Sequence, residues 1–436
     1  MAEQEHRAWT ATPGHSPDLW HHSSPPAGPA GPPAPTEPPA GPFETLGPGT
    51  GPEIGPGPMA SKGPVGVPPL PDEEPEPPAR RPPSQAIWAR STQGLHALSV
   101  WTEQVPGLGE DADPFVAHHW DTAQGMIAVF DGSGGAGATP AWQDPEGNWH
   151  TGAWVGARVA RLATDCWFHE VARGNEEVGP GTLHGYLNWF LAKAPQRRSK
   201  IGGTMRRQLP TTLAGLHYRI REEGSAVELR PLWAGDSRAY VLSPESGLHV
   251  LTRDHTRESD ALELLRTDPP MTNVICADRE FTIGAQFIAS FELPCILVVA
   301  TDGYFGYVHT PADFEYLLLS TLGQANNEYE WADLLRREVQ AYTGDDASLA
   351  LLALGHHDFA QLRALYEQRF ADLGDRHLRG RPRILDRASR AGSEGSGGPE
   401  DERETHARVR VWQDQSWQTY RAGYETYLPP ASEEYR

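Results

Sequence analysis

Four short segments break an apolar run at an aspartate that stands beside glycine or a second aspartate, three at the end of the run and one at its start: Met126-Ile-Ala-Val-Phe-Asp131-Gly132, Leu232-Trp-Ala-Gly-Asp236, Ile296-Leu-Val-Val-Ala-Thr-Asp302-Gly303 and Gly344-Asp345-Asp346-Ala-Ser-Leu-Ala-Leu. Short apolar runs of this kind read as buried strands. An aspartate where such a strand meets solvent can aim its carboxylate into a cleft shared with the next strand end. Carboxylates that converge bind hard divalent cations through oxygen. The three cysteines, Cys166, Cys276 and Cys295, have no metal-ligand or redox spacing and read as buried free thiols.

The elements that must position these groups begin well inside the chain. Of 45 glycines and 41 prolines, many crowd the stretch from Pro13 to Pro83, as in Ala27-Gly-Pro-Ala-Gly-Pro-Pro33. Such a composition cannot bury enough apolar surface to offset its chain entropy, so residues 1–90 are expected to be a disordered acidic arm. Residues 91–357 have an ordinary globular composition and form the expected folded domain. Residues 358–436 are expected to be a helical C-terminal extension with a Gly/Ser linker at Ala391–Glu404. The net charge of −21 argues against a nucleic-acid partner, which needs clustered Lys and Arg. No apolar run is long enough to span a bilayer and no basic-then-apolar leader is visible, which predicts a cytoplasmic protein without membrane insertion.

Within the folded region the period alternates. His96–Trp101 and Met126–Phe130 read as strands, and Val105–Asp113 as a turn-rich acidic loop. Val155, Val159, Leu162, Cys166 and Trp167 stand at helical spacing in a long helix over Ala153–Val171, followed by a second over Leu183–Leu191. Thr211–Ile220, Ala226–Trp233, Ala239–Leu242 and His249–Thr252 form successive hairpin strands around Glu222-Glu-Gly-Ser225 and Ser243-Pro-Glu-Ser-Gly247. Ile296–Ala300 and Ser348–Leu354 are buried strands flanking helices at Pro311–Thr321 and Tyr329–Tyr342. Thr310, Pro311 and Asp313 supply the start signals of the first of those helices. Runs of strands, then helices, predict an α+β fold of antiparallel layers. The final helix, Thr405 to about Tyr427, carries Trp412, Trp417, Tyr420, Tyr424 and Tyr427 on a stripe expected to pack on the domain or on a partner.

Taken in order, Glu110-Asp111, Asp131-Gly132-Ser-Gly-Gly135, Gly235-Asp236-Ser-Arg-Ala-Tyr240, Leu251-Thr-Arg-Asp-His-Thr256, Thr301-Asp302-Gly303 and Asp345-Asp346-Ala-Ser348 give residues 95–356 the motif order of the metal-dependent type-2C protein phosphatases, the PPM family, which this region resembles most in its bacterial members. The resemblance implies two packed antiparallel β-sheets flanked by helices, an α-β-β-α sandwich. It also implies a phosphoserine/phosphothreonine protein phosphatase that opposes a serine/threonine kinase through two Mn²⁺ or Mg²⁺ ions. In that pattern Asp131 bridges the ions, Glu110 and the Gly132 carbonyl bind one, Asp302 and Asp345 bind the other, and Asp111 stands behind them. Asp131 and Asp302 are the expected catalytic carboxylates. The glycine of Gly235-Asp236 permits a close strand approach, Asp236 holds loops, and His255 is a framework residue.

The chain departs from the family pattern at four places. Trp101–Gly109 contains no arginine to grip phosphate. Ser133 stands where eukaryotic members carry histidine. The two carboxylate positions that help hold a third ion are taken by the Arg206-Arg-Gln-Leu-Pro210 stretch and by Gly306. Arg207 is the candidate phosphate-binding replacement. An alternative function, a catalytically weak or inactive domain of this type that binds a phosphoprotein as a regulator, follows from the same departures.

Overall fold

In the computed structural model, residues 8–10, 87–92, 94–195, 206–221, 223–382 and 399–431 are described. All of them belong to one compact unit. Most of the expected N-terminal arm lies outside these residues. Within it, β1 (Ala8–Thr10) and β2 (Ile87–Thr92) are strands.

Eleven further strands complete two sheets in which every pairing is antiparallel. The first runs β1, β4 (Ala112–His119), β5 (Gln124–Phe130), β8 (Leu213–Ile220), β9 (Ala226–Ala234) and β12 (Gly284–Ala285), with β13 (Ile288–Glu292) also on β9. The second runs β11 (Gly247–Val250), β10 (Arg238–Ser243), β14 (Cys295–Ala300), β15 (Ala347–Leu354), β3 (Leu95–Thr102) and β2. A short hairpin of β6 (Pro140–Gln143) and β7 (Trp149–Thr151) stands apart.

β5, β14 and β15 are buried along their whole length, because both faces of each central strand are covered. Alternate residues therefore serve different cores. Ile127 and Val129 of β5 meet Leu297, Val299 and Leu352 between the sheets, while Met126, Ala128 and Phe130 face a layer made by α2 (Gly152–Ala172) and α3 (Pro180–Lys193). The other sheet is covered by α4 (Ala261–Thr267), α6 (Pro311–Gln324), α7 (Glu328–Gln340), α8 (Phe359–Arg376) and α9 (Pro399–Tyr424). The layers are thus α-β-β-α, as expected. The two remaining helices are single turns, α1 (Gly134–Gly137) and α5 (Asp302–Phe305).

β4 is absent from the sequence reading because Asp113-Pro114 looks like a turn. A register shift between Ala112 and Phe115 accommodates the proline inside the strand. α6 has the expected start, with the Thr310 hydroxyl and the Asp313 carboxylate capping each other's backbone. β11 ends at Val250, two residues short of the strand expected to reach Thr252. Residues 391–398 of the expected linker lie outside the described residues, and α9 already begins at Pro399. The aromatic stripe of α9 packs on the domain itself: Trp412, Trp417, Tyr420 and Tyr424 are buried in the same core as α6 and α8. The three cysteines are unpaired. Among the described residues no helix is long and apolar enough to cross a membrane.

Candidate metal centre

Strand register brings the acidic residues to one end of the sandwich. Ala112, opening β4, pairs with Phe130, closing β5, which places Asp111 and Asp131 side by side. Leu213, opening β8, pairs with Ala234, closing β9. Asp236 occupies the turn in which the chain then crosses to β10 in the other sheet. There Arg238 pairs with Ala300 and Ala300 with Leu349, so Asp302 leaves β14 where Asp345 and Asp346 enter β15.

Each carboxylate is held by identifiable partners. The Asp131 carbonyl accepts from the Thr212 N–H and the Thr211 hydroxyl, both at 2.8 Å, which fixes the backbone from which the side chain projects. The Thr151 hydroxyl, the N-cap of α2, accepts from Trp154 N–H at 3.1 Å and donates to Glu110 Oε1 at 2.5 Å, so the cap also aims a site residue. A Cβ on Gly134 would overlap Glu110 Oε2, and one on Gly132 would lie 2.7 Å from the Glu110 carbonyl oxygen. The glycines after Asp131 therefore leave room for Glu110. Gly303 has a similar reason: a Cβ there would overlap the Asp346 carbonyl oxygen. Asp111, 2 % exposed, accepts from Thr301 Oγ1 at 3.0 Å.

The electrostatics are those of buried carboxyls crowded together. Burial, then Asp111, Asp302, Asp236 and Asp345, pushes the Asp131 carboxyl well above the usual carboxylate range. Asp111 is raised by burial and by Asp346, and Asp236 by burial and by Asp302. Asp302 is pushed up to about 7 by burial, with Asp345 and Asp268 adding to it. Loss of solvent also raises Glu110 and Asp345, to which Asp346 contributes in both cases. The Oδ1 atom of Asp236 is buried with no hydrogen-bond partner. An all-oxygen, acidic donor set of this kind fits hard divalent ions in charge and chemistry. As the side chains stand, no three His, Cys, Asp or Glu residues among those described close on a single ion.

These shifts carry a pH dependence. A carboxyl whose folded pKa exceeds its unfolded value of about 3.9 contributes stability that is full below that value and is lost as pH rises through the folded pKa. For Asp302 that loss is complete only above about 7. The metal-free protein is therefore expected to melt at a lower temperature at pH 8 than at pH 5, and Mn²⁺ to raise the melting temperature more at pH 8. Calorimetric scans at the two pH values, with and without Mn²⁺, check both signs.

Several roles differ from the sequence reading or were missed by it. Asp236 does not tie loops as expected, since its Oδ1 is unpartnered and it stands against Asp302. The loop tie is Asp346, whose carboxylate accepts from Gln104 N–H at 2.8 Å and Glu110 N–H at 2.6 Å. Gly235 has φ +93, and a Cβ there would meet Thr212 Cγ2 at 2.6 Å, the close approach anticipated for it. His255 is a framework group: its Nδ1 accepts from Gly235 N–H at 3.1 Å and faces the Asn273 amide at 3.0 Å. Arg158, on α2, stacks 3.9 Å over Trp154 and donates to the Glu110 and Gly109 carbonyls at 3.2 and 3.4 Å. It supports the Glu110-Asp111 loop from beneath. Asp268, the C-cap of α4 at φ 42, adds to the negative charge around Asp302 and Asp345. Arg207 lies next to the Asp131 loop, its N–H donating to the Ala136 carbonyl at 3.2 Å and its guanidinium to the Arg206 carbonyl at 3.3 Å.

No family model and no curated protein matches this sequence. Solved structures similar to it include RsbX in complex with magnesium, at 14% identity over 62% of this chain and 99% of that one, with a TM-score of 0.37. Another is the catalytic domain of the serine/threonine phosphatase PstP with two manganese ions, at 15% identity, 60% and 99% coverage and a TM-score of 0.37. A third is the PPM Ser-Thr phosphatase MsPP from Mycobacterium smegmatis with cacodylate, at 13% identity, 60% and 99% coverage and a TM-score of 0.39. Two of these three are named as serine/threonine phosphatases, the class whose motif order the sequence resembles.

Proposed function

We propose that this chain is a metal-dependent phosphatase that removes phosphate from phosphoserine and phosphothreonine in proteins, opposing a serine/threonine kinase. The observation that carries the reading is the group formed by Asp111, Asp131, Asp236 and Asp302 at one end of two sheets, whose mutual repulsion a divalent cation would relieve. Glu110, Asp131 and the Gly132 carbonyl would hold one Mn²⁺ or Mg²⁺, and Asp131, Asp302 and Asp345 the other, with Asp111 behind them. When bound, the ion pair supplies an acidified water as nucleophile and offsets charge on the phosphoryl oxygens.

The chain's own residues do the positioning. Thr211 and Thr212 fix Asp131, Thr151 aims Glu110, and Asp346 holds the loop that carries Glu110. Arg207 is assigned the phosphate, in place of the arginine missing from Trp101–Gly109. Burial raises the thiols of Cys166, Cys276 and Cys295, which keeps them protonated and inert and suits the reducing cytoplasm, where we place the protein.

The lack of an arginine in Trp101–Gly109 and of acids at Arg206–Pro210 and Gly306 favours a second reading, a phosphoprotein-binding regulator without turnover. Phosphate release from a phosphothreonine peptide, measured with Mn²⁺ and with a chelator, separates the two. Metal-dependent release supports the phosphatase. Binding of the peptide without release supports the regulator.

A further inference from the structure

α9 reaches the acidic centre through a continuous set of ring contacts. Tyr424, 3 % exposed, lies with its ring centroid 6.2 Å from that of Tyr240 on β10. Tyr240 in turn stands 6.2 Å, edge to face, from Phe305 and 5.3 Å from Phe314. Phe305 closes α5, the single turn that Asp302 opens. The Arg238 guanidinium sits 4.3 Å over the Phe305 ring while donating to both oxygens of Asp254, at 2.9 and 2.7 Å. Arg238, Asp254 and Tyr424 together line a cavity of only about 20 Å³. Little space is left for these groups to move independently.

The same helix grips the chain beyond α5. Gln413 Nε2 donates to the His309 carbonyl at 2.8 Å, three residues past Gly306. α9 is itself anchored by the Trp417 indole on Asp260 at 3.1 Å and by the Gly423 carbonyl, which accepts from His249 at 2.6 Å. One rigid helix therefore holds the turn carrying Asp302 from the inside, through Tyr424, and its exit from the outside, through Gln413. Mere docking of an extension would need neither hold.

We propose that Tyr424 is a positioning residue for the acidic centre: its ring, packed through Tyr240 and Phe305, fixes the α5 turn and with it Asp302. The proposal deepens the phosphatase reading, on which its consequences for turnover rest. Its effect on α5 does not depend on turnover.

The test is hydrogen exchange on the full chain at the Tyr304 and Gly306 amides, which donate to the Thr301 and Asp302 carbonyls. Tyr424→Ala is expected to speed exchange there about tenfold, within the range that coupling through packed side chains reaches, while the β14 and β15 amides stay as in the wild type. Tyr424→Phe keeps the ring and should restore wild-type protection. Val411→Ala, at a residue 55 % exposed on the same helix, should change nothing. In the metal titration, Tyr424→Ala should weaken Mn²⁺ binding by about tenfold, and in the assay it should lower kcat with KM little changed. Should Tyr424→Ala fail to fold, Gln413→Ala must show the same local effect on the Tyr304 and Gly306 amides. Wild-type exchange at those amides in the folded alanine variant, or equal loss of protection throughout the sheets, would overturn the proposal. A wild type with no metal-dependent turnover would defeat the phosphatase reading, yet leave the exchange result to decide the role of Tyr424.

Discussion

Asp131→Asn is expected to lower Mn²⁺-dependent phosphate release by roughly a thousandfold or more, equivalent to about 4 kcal/mol of transition-state stabilisation. In the proposed site Asp131 would serve both ions. An amide carries no charge and offers one oxygen. The same change removes one member of a group of mutually repelling carboxylates. The metal-free variant should therefore melt no lower than the wild type, and higher above neutral pH. Loss of activity with unchanged or raised stability separates a functional role from a structural one. Near wild-type turnover in this variant would contradict the assignment of Asp131.

The second large effect is on stability. Glu315 of α6 is fully buried, and its carboxylate accepts from Arg369 Nε and Nη2 at 2.5 and 2.8 Å, from the Tyr420 hydroxyl at 2.6 Å and from Leu248 N–H at 3.2 Å. One side chain thus ties α6 to α8, α9 and β11. Glu315→Ala leaves the partly buried Arg369 guanidinium without its carboxylate and should cost about 3 kcal/mol. For a domain of this size that lowers the melting temperature by roughly 10 °C. Glu315→Gln should cost less, since it keeps an acceptor. Thermal unfolding of both variants measures the difference, and an alanine variant that melts with the wild type would show that the C-terminal helices are not held this way.

Much of the fold and part of the centre were legible because the signals are local. An apolar run that stops at Asp-Gly is visible in Met126–Gly132 and Ile296–Gly303, and a strand packed on both faces has no need of alternation. The helix start at Thr310 was legible for the same reason. What escaped depends on distant partners. Arg158 acts on backbone carbonyls 48 and 49 residues away, and carbonyls leave no trace in residue identity. Asp346 looks like a spare acid beside Asp345 until Gln104 and Glu110 are seen donating to it. Asp268 joins the acidic end only because α4 stops there in a left-handed conformation. Glu315 sits among Phe314, Tyr316 and Leu317, where periodicity marks a buried face and gives no hint that a charge is satisfied there.

The proposed two-ion site at the acidic end of the sandwich rests on Asp131. Calorimetric titration of Mn²⁺ into the metal-free full chain tests it most directly. Two ions are expected to bind per chain, with uptake of both impaired in Asp131→Asn. No binding by the wild type, or the same binding by Asp131→Asn as by the wild type, would contradict it.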